Sequence, residues 1–302
     1  MKIKTIAEIN STIQAGVSAM QAFDDGYAAG IRAIAEDIYK KRHEKSVILV
    51  SGPSGSGKTT SSHMLEAMLD SMGAETHTIS MDNYFSAFSE EEKILAAQGK
   101  IDFESPSRLD IPFMNEQLEA IAACKPVRLP EYDFKNSARI FREEEFCRKD
   151  GEIVLLEGIH SLNPSVILLP DEQLTNIYIS VRTRIDTGEG LLHPSYVRLL
   201  RRMIRDRSTR ARSLRETLDM YDGVERGETA YIAPYKHRAH YEINSFHDYE
   251  MPLYRAILGN DLDEFADDPR MEDVRRALSM IEPGDPDIVP AHSLIREFIG
   301  EK

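Results

Sequence analysis

The chain has 302 residues, of which 41% are hydrophobic and 29% charged, so it can bury a sizeable core. Its net charge of −14 argues against sequence-independent binding to nucleic acid, which requires many cations to neutralise phosphates. The sequence has neither a run of about 18 apolar residues nor an apolar signal segment at its start, so we expect no membrane partner. The two cysteines, Cys124 and Cys147, lack metal-ligand spacing and suit a reducing compartment, which favours a cytoplasmic protein.

Taken in chain order, the elements predict an α/β fold with a parallel sheet. Residues 1–45 carry apolar residues at helical spacing and predict a mostly helical segment. The β-branched run at 46–50 is typical of a strand buried on both faces, and a helical pattern follows the glycines after it. From residue 261 we expect a short helix, a proline-marked loop and a final packed segment. Further strands are predicted at 76–80, 152–157 and 176–181, and further helices at 89–97, 109–123, 195–211 and 213–222.

The segment G-P-S-G-S-G-K-T-T at 52–60 fits the phosphate-binding P-loop pattern, and we call it the cradle. Its glycines let backbone N–H groups point at phosphate oxygens, and the next helix adds its N-terminal dipole. Lys58 is expected to reach the β- and γ-phosphates, and the Thr59 hydroxyl to bind Mg²⁺. A buried strand before it and an amphipathic helix after it favour a nucleotide site over a flexible turn. The predicted phosphate contacts are Gly52, Ser54, Gly55, Ser56, Gly57, Lys58, Thr59 and Thr60.

Two acids follow predicted strands. Glu157 ends the run I-V-L-L-E, at the strand end where α/β sheets bind their ligands, and suggests an acid for the Mg²⁺ shell. Asp82 follows the strand at 76–80 and could accept the proton of a hydroxyl that receives phosphate. The residues alone leave open that Glu157 caps a turn and that Asp82 is an N-cap or an Asx turn.

An arginine cluster at 198–215 contains one acid, Asp206, although the whole chain is acidic. A solvated helix face would carry interleaved acids, so the cluster suggests a lid that clamps a transferring phosphate. Since the sequence also lacks the N-K-x-D motif of guanine-specific switches, phosphoryl transfer is favoured over a switch. The arginines are Arg198, Arg201, Arg202, Arg205, Arg207, Arg210, Arg212 and Arg215.

With these motifs, the chain resembles the uridine kinase and phosphoribulokinase family of P-loop kinases. It is most similar to the bacterial nucleoside kinases that often follow a threonyl-tRNA-synthetase-like region. The similarity covers about residues 45–300. The matching segments are the cradle, S-M-D-N-Y-F, D-F-E-S-P-S-R-L-D, L-P-E-Y-D-F-K, L-L-E-G-I-H-S-L-N-P, R-L-L-R-R-M-I-R-D, S-L-R-E-T-L-D-M-Y-D-G-V-E-R-G-E and S-L-I-R-E-F-I-G.

The resemblance implies that MgATP phosphorylates the 5′-hydroxyl of a ribonucleoside, with Asp82 as general base. It implies a doubly wound parallel sheet with a helical lid at about 195–225 and a strand-rich acceptor flap near 127–150. The implied domains are a helical extension at 1–45, a kinase domain at 46–260 and a helical tail at 261–302. Lys58 and Arg205 would serve the transfer, and Thr59 and Glu157 the metal. The lid residues implied to hold phosphate are Arg202, Arg205, Arg210 and Arg212, and the implied acceptor contacts are Tyr84, Phe103, Glu104, Tyr132 and Ser137.

Two positions depart from the family pattern. Ser137 stands where uridine kinases carry a histidine that reads the pyrimidine edge, and Glu104 replaces an aspartate. A short hydroxyl cannot reproduce the reach of an imidazole, so the base preference stays open. Two alternatives also remain: a kinase for another sugar or phosphorylated sugar, and a nucleotide-sensing module without turnover. The oligomeric state is open as well, a homo-oligomer being one option.

Overall fold

A computed structural model describes residues 2–98, 101–141 and 143–300. Residue 1 of the predicted extension, residue 142 of the flap and residues 301–302 of the tail lie outside the described residues. The strands are β1 (Lys2–Thr5), β2 (Val47–Ser51), β3 (Thr76–Ser80), β4 (Pro130–Asp133), β5 (Ala138–Phe141), β6 (Ile153–Glu157), β7 (Leu174–Ser180), β8 (Thr183–Asp186), β9 (Leu191–Leu192) and β10 (Tyr241–Asn244). The α-helices are α1 (Ile6–Gln14), α2 (Val17–Lys41), α3 (Lys58–Ser71), α4 (Glu90–Ala97), α5 (Ile111–Ala122), α6 (Pro194–Thr209), α7 (Leu214–Gly227), α8 (Glu250–Leu258), α9 (Glu272–Ser279) and α10 (Arg296–Ile299).

The centre of the fold is a five-stranded sheet in the order β10-β7-β2-β6-β3, and every neighbouring pair in it is parallel. All five residues of β2 are buried, as expected for a strand with neighbours on both edges and layers on both faces. The predicted α/β fold with a parallel sheet is therefore confirmed. The edge strand β10 had no sequence prediction.

Helices cover both faces of this sheet, because side chains alternate along each strand. Val47 and Leu49 of β2 pack in one cluster with helix α5, while Ile48 and Val50 pack in another with α2 and α3. The sheet is thus doubly wound, as the family resemblance implies. None of the described helices is long and apolar enough to cross a membrane.

The first residues of the chain differ from the sequence prediction. Residues 2–5, predicted within a helical segment, form strand β1, which pairs in parallel with β8 in a small sheet β1-β8-β9. The prediction of mostly helix holds for α1 and α2. Thr5 and Glu8 form a capping box that begins α1 directly after the strand.

Helices of the predicted lid pack into a third cluster rather than standing free of the protein. Leu199, Leu200 and Met203 of α6 are buried there together with side chains of α8, α9 and the C-terminal segment. Helix α7 begins at a capping box formed by Ser213 and Glu216, and it continues into a π-helical turn at Glu228–Ile232. The predicted flap contains the antiparallel hairpin β4–β5. The domain boundaries at 45 and 260 stay a prediction, since helices from both outer segments share cores with the central part.

Candidate nucleotide and acceptor site

The cradle connects β2 to α3 at the carboxyl end of the sheet, where parallel α/β sheets bind ligands. Glycine is required at its first position, because a Cβ on Gly52 would lie 1.9 Å from the Ile179 carbonyl oxygen. Gly57 has a φ of 82°, and a Cβ there would lie 2.8 Å from Leu294 Cδ1. The backbone can therefore take this path only without side chains at these two positions. Ser56 Oγ is buried and has no hydrogen-bond partner among the described residues.

Lys58 begins α3, and its ammonium donates a hydrogen bond of 3.3 Å to the Pro53 carbonyl. Burial lowers the pKa of Lys58, while the charge of Glu157 most strongly opposes this effect. The next residue, Thr59, is exposed to solvent at the first turn of the helix. A desolvated cation at the N-terminus of a helix is a favourable place for phosphate oxygens.

Thr60, a predicted phosphate contact, has a protein partner in the structure. Its hydroxyl donates to Glu297 Oε2 at 2.6 Å, and its backbone N–H donates to the same oxygen at 3.3 Å. The C-terminal segment therefore already binds both donors of this cradle residue.

The two predicted acids lie together at the ends of adjacent strands. Ser80 and Glu157 are register partners at the ends of β3 and β6, and the Ser80 hydroxyl donates to Glu157 Oε1 at 3.2 Å. Asp82 lies two residues beyond Ser80, whose Oγ accepts the Asp82 N–H at 3.4 Å. Asp82 is exposed to solvent, yet desolvation by the surrounding protein, and then the charge of Glu157, raise the pKa of its carboxyl to about 6. The charges of Lys58 and Arg210 act in the opposite direction.

Three arginines of α6 hold the cradle directly. Arg198 donates to the Ser54 carbonyl at 3.3 Å, and Arg202 donates to Ser54 Oγ. Arg201, which the sequence places in the lid cluster, is completely buried: it donates to Glu250 at 2.8 Å and to the Gly55 carbonyl at 3.1 Å. Arg201 is thus a buried anchor of the cradle and is not accessible to solvent.

The four lid arginines that the resemblance implies to bind phosphate all surround Asp206. This carboxylate is completely buried, and its partners lie between 2.9 and 3.8 Å away: Arg202, Arg205, Arg210 and Arg212. Burial lowers the pKa of Arg210, with Arg205 acting in the same direction and Asp206 against it. Arg207 and Arg215 belong to neither group, because they pair with Asp261 and Asp268.

On the acceptor side, aromatic rings from the flap meet the loop that follows Asp82. Tyr132 contacts Phe85 and Phe134 edge-to-face, with centroid distances of 5.7 and 5.1 Å. The Tyr132 N–H donates to Asn83 Oδ1 at 3.3 Å, which ties the flap to the neighbour of Asp82. Phe103 is half-exposed. Such rings can bind a planar ligand by stacking.

The other implied acceptor residues have different environments. Burial raises the pKa of Glu104, while Arg202 and Lys58 lower it, and Glu104 Oε2 is buried without a hydrogen-bond partner among the described residues. Ser137 lies at the hairpin turn with a φ of 50°. The expectation for Tyr84 is wrong, because its side chain is completely buried and its hydroxyl donates to Gln117 at 3.1 Å.

Sequence reasoning placed Arg198 in the lid cluster but did not predict its contact with the cradle. It missed three further residues in their roles here: Asp206 as the centre of the arginine group, His160 and Glu297. His160 is 2% exposed, and burial lowers its pKa to about 4, against the effect of the Glu104 and Tyr231 carbonyls. Asp206 had a signal, since it is the one acid among eight arginines. Glu297 lies in the segment S-L-I-R-E-F-I-G, whose packing partner the sequence does not reveal.

Comparisons with known proteins identify similar sequences and a similar fold. A family model described as phosphoribulokinase / uridine kinase family matches residues 47–252. A uridine kinase of Streptococcus pyogenes serotype M5 is 32% identical over 182 residues, covering 59% of this chain and 76% of its own. A uridine kinase of Lactobacillus johnsonii is 29% identical over 177 residues, covering 58% and 74%. A putative fructose transport system kinase from Silicibacter sp. TM1040 has a similar fold, with 16% identity, a TM-score of 0.53 and coverage of 70% and 98%.

Proposed function

Because the chain belongs to the phosphoribulokinase and uridine kinase family and is an ATP-dependent kinase, we propose that it phosphorylates the 5′-hydroxyl of a ribonucleoside of the uridine or cytidine type. The uridine kinases among its relatives support a nucleoside acceptor. The family implies ATP as the phosphate donor.

The observation that carries the proposal is the position and pKa of Asp82. Its carboxyl lies within the fields of Glu157, Lys58 and Arg210, beside the loop that contacts the aromatic flap. A base with a pKa of about 6 is mostly ionised at neutral pH and still holds a proton well enough to take it from a hydroxyl. Asp82 accepts the 5′-hydroxyl proton, the oxygen bonds to the γ-phosphorus, and the bond to ADP breaks.

The residues fit a magnesium ion near the cradle. The Thr59 hydroxyl is exposed at the start of α3, and Ser80 fixes the Glu157 carboxylate, so both offer the oxygen ligands that Mg²⁺ prefers. When bound, Mg²⁺ offsets phosphate charge and orients the polyphosphate. Lys58 and Arg205 contribute positive charge, and the remaining lid arginines (Arg202, Arg210 and Arg212) bind phosphate oxygens with them.

The acceptor would lie between the flap and Glu104. Tyr132 and Phe103 offer ring faces or edges to a planar base, and the Glu104 carboxylate can accept hydrogen bonds from ribose hydroxyls. A second candidate acceptor is a sugar or phosphorylated sugar without a base. Ser137 favours it, because the hairpin turn offers a short hydroxyl where a base-reading imidazole is expected.

An acceptor panel separates the two candidates. Purified protein with ATP and Mg²⁺ is incubated with ribonucleosides, pentoses and pentose phosphates, and the phosphorylated products are identified by mass spectrometry. We expect a nucleoside 5′-monophosphate, formed by the wild type and not by Asp82→Asn. Products from sugars alone would replace the first candidate by the second, and ATP binding without any product would refute both.

A further inference from the structure

The first turn of α3 is held by side chains from outside the region that matches the family. That region ends at residue 252, whereas Glu297 binds Thr60, and Tyr27 of α2 shares a hydrogen bond of 2.7 Å with the Ser61 hydroxyl. The Ser61 hydroxyl in turn donates to the Gly57 carbonyl at 2.7 Å. Segments from both ends of the described chain thus reach the nucleotide cradle.

The Glu297 contact lies at the first turn of α3, at the end of the cradle. Thr60 is the third residue of α3, so its N–H belongs to the group that has no partner inside the helix. Glu297 accepts both this N–H and the Thr60 hydroxyl with a single oxygen, Oε2. A carboxylate at a helix N-terminus is stabilised by the helix dipole. Its charge also opposes the fall in the pKa of Lys58 that burial causes.

The segment that carries Glu297 is firmly packed. The Ser293 hydroxyl shares a hydrogen bond of 2.6 Å with Tyr249, and Leu294 lies against Gly57. Phe298 is buried, and the Arg201 guanidinium lies 4.6 Å from its ring centroid. Because Arg201 also binds the Gly55 carbonyl, the C-terminal segment and the cradle share one support. These contacts fix the position of the segment, and therefore the position of the Glu297 carboxylate beside Thr60.

We propose that Glu297 is a nucleotide-positioning residue that acts through Thr60. By fixing the Thr60 hydroxyl and first-turn backbone, it holds the cradle in the shape that receives the polyphosphate. A carboxylate that instead occupied a phosphate position would compete with ATP, and its removal would tighten binding. The two roles therefore predict opposite changes in ATP affinity when the Glu297 carboxylate is removed. The inference concerns ATP binding alone, so it does not depend on which acceptor is phosphorylated.

The test is Glu297→Gln, with binding of Mg²⁺ and a non-hydrolysable ATP analogue measured by calorimetry without acceptor. We expect about a tenfold rise in Kd, the scale of one lost charge-assisted hydrogen bond. The matched control is Glu282→Gln, which makes the same substitution in the same tail, at a side chain that binds Gln14. Its Kd should equal that of the wild type.

A double-mutant cycle with Thr60→Val tests whether the effect passes through Thr60. We expect the double variant to bind no more weakly than the weaker single variant. Unchanged or tighter binding by Glu297→Gln would overturn the proposal, and so would full additivity in the cycle. Thermal unfolding of each unliganded variant checks that it is folded. If Glu297→Gln does not fold, Glu297→Asp, which keeps the charge but shortens the reach, is judged by the same criteria.

Discussion

Replacing Asp82 with asparagine should lower turnover and raise stability at the same time. The folded protein raises the pKa of this carboxyl from its usual 3.8 to about 6, mainly through desolvation and then through Glu157. The protein therefore opposes the charge that the proposed reaction requires. Asparagine has the same shape as aspartate but no charge. The substitution therefore removes both the general base and the destabilising charge.

The magnitude on stability follows from the pKa. The pKa of Asp82 is higher in the folded than in the unfolded protein. Ionisation of Asp82 therefore has no effect on the free energy of unfolding below about pH 4, and lowers it progressively as the pH rises to about 6. Above that pH the full destabilisation remains. The difference between about 6 and 3.8 corresponds to about 3 kcal/mol without screening. Because Asp82 opens onto solvent, screening reduces this to about 1 kcal/mol. For a chain of this length, we expect Asp82→Asn to raise Tm by about 2 °C at pH 7.5.

Turnover should change in the opposite direction. Loss of a general base lowers kcat by about a hundredfold or more. Wild-type kcat/KM should be level above a pH of about 6 and fall about tenfold per unit below it, as Asp82 becomes protonated. The variant's residual activity should lack this inflection.

The assay is initial ADP release with the best acceptor at saturating ATP, with Tm measured by calorimetry in the same buffer. The matched control is Asp186→Asn at the end of β8, in the small sheet and not the central one, where the carboxylate accepts the Gly188 N–H at 2.8 Å. It should keep wild-type kcat. A kcat of Asp82→Asn near that of the wild type would refute the base assignment, and a loss of kcat together with a lower Tm would show that Asp82 is a structural residue.

Three further outcomes follow from the geometry. Asp206→Asn leaves four guanidiniums without their buried carboxylate, so urea titration should show a loss of roughly 3 kcal/mol; an unchanged midpoint would contradict this. Gly52→Ala places a Cβ 1.9 Å from the Ile179 carbonyl oxygen and should abolish ATP binding, whereas Gly73→Ala, with open space around it but a φ of 90°, should bind ATP normally at a modest loss of Tm. In initial-rate kinetics, Glu104→Gln should raise KM for the acceptor about tenfold and leave KM for ATP within twofold. Equal changes in the two KM values would show that Glu104 does not bind the acceptor.

The central sheet could be predicted because its strands carry their own signal. β2 and β6 are short apolar runs, and burial on both faces of a parallel sheet requires such runs. Four strands had no prediction: β1, β8, β9 and β10. Two of them, β1 (K-I-K-T) and β10 (Y-E-I-N), are short, polar and each paired on one side. Only their partners define them as strands, and those partners lie far away along the chain.

The acids of the site were predictable for a related reason. Parallel strands end at the same edge of a sheet, so Asp82 and Glu157 could be placed beside the cradle from sequence alone. Tyr84 follows Asp82 by two residues, yet its ring enters the core against Phe113. The path of the Met81–Tyr84 3-10 turn decides this, and the sequence pattern does not contain it.

The arginines show why helical spacing alone could not assign their roles. Arg201 and Arg202 are neighbours on one helix, but Arg201 has a buried acid of its own, Glu250, while Arg202 shares Asp206 with three other arginines. A buried pair with complete hydrogen bonding is neutral and can serve as an anchor. One carboxylate cannot neutralise four guanidiniums, so the Asp206 group keeps positive charge in an otherwise acidic protein. A polyphosphate is a ligand that this surplus positive charge would bind. Whether a given arginine can bind such a ligand depends on the acid that lies nearest to it.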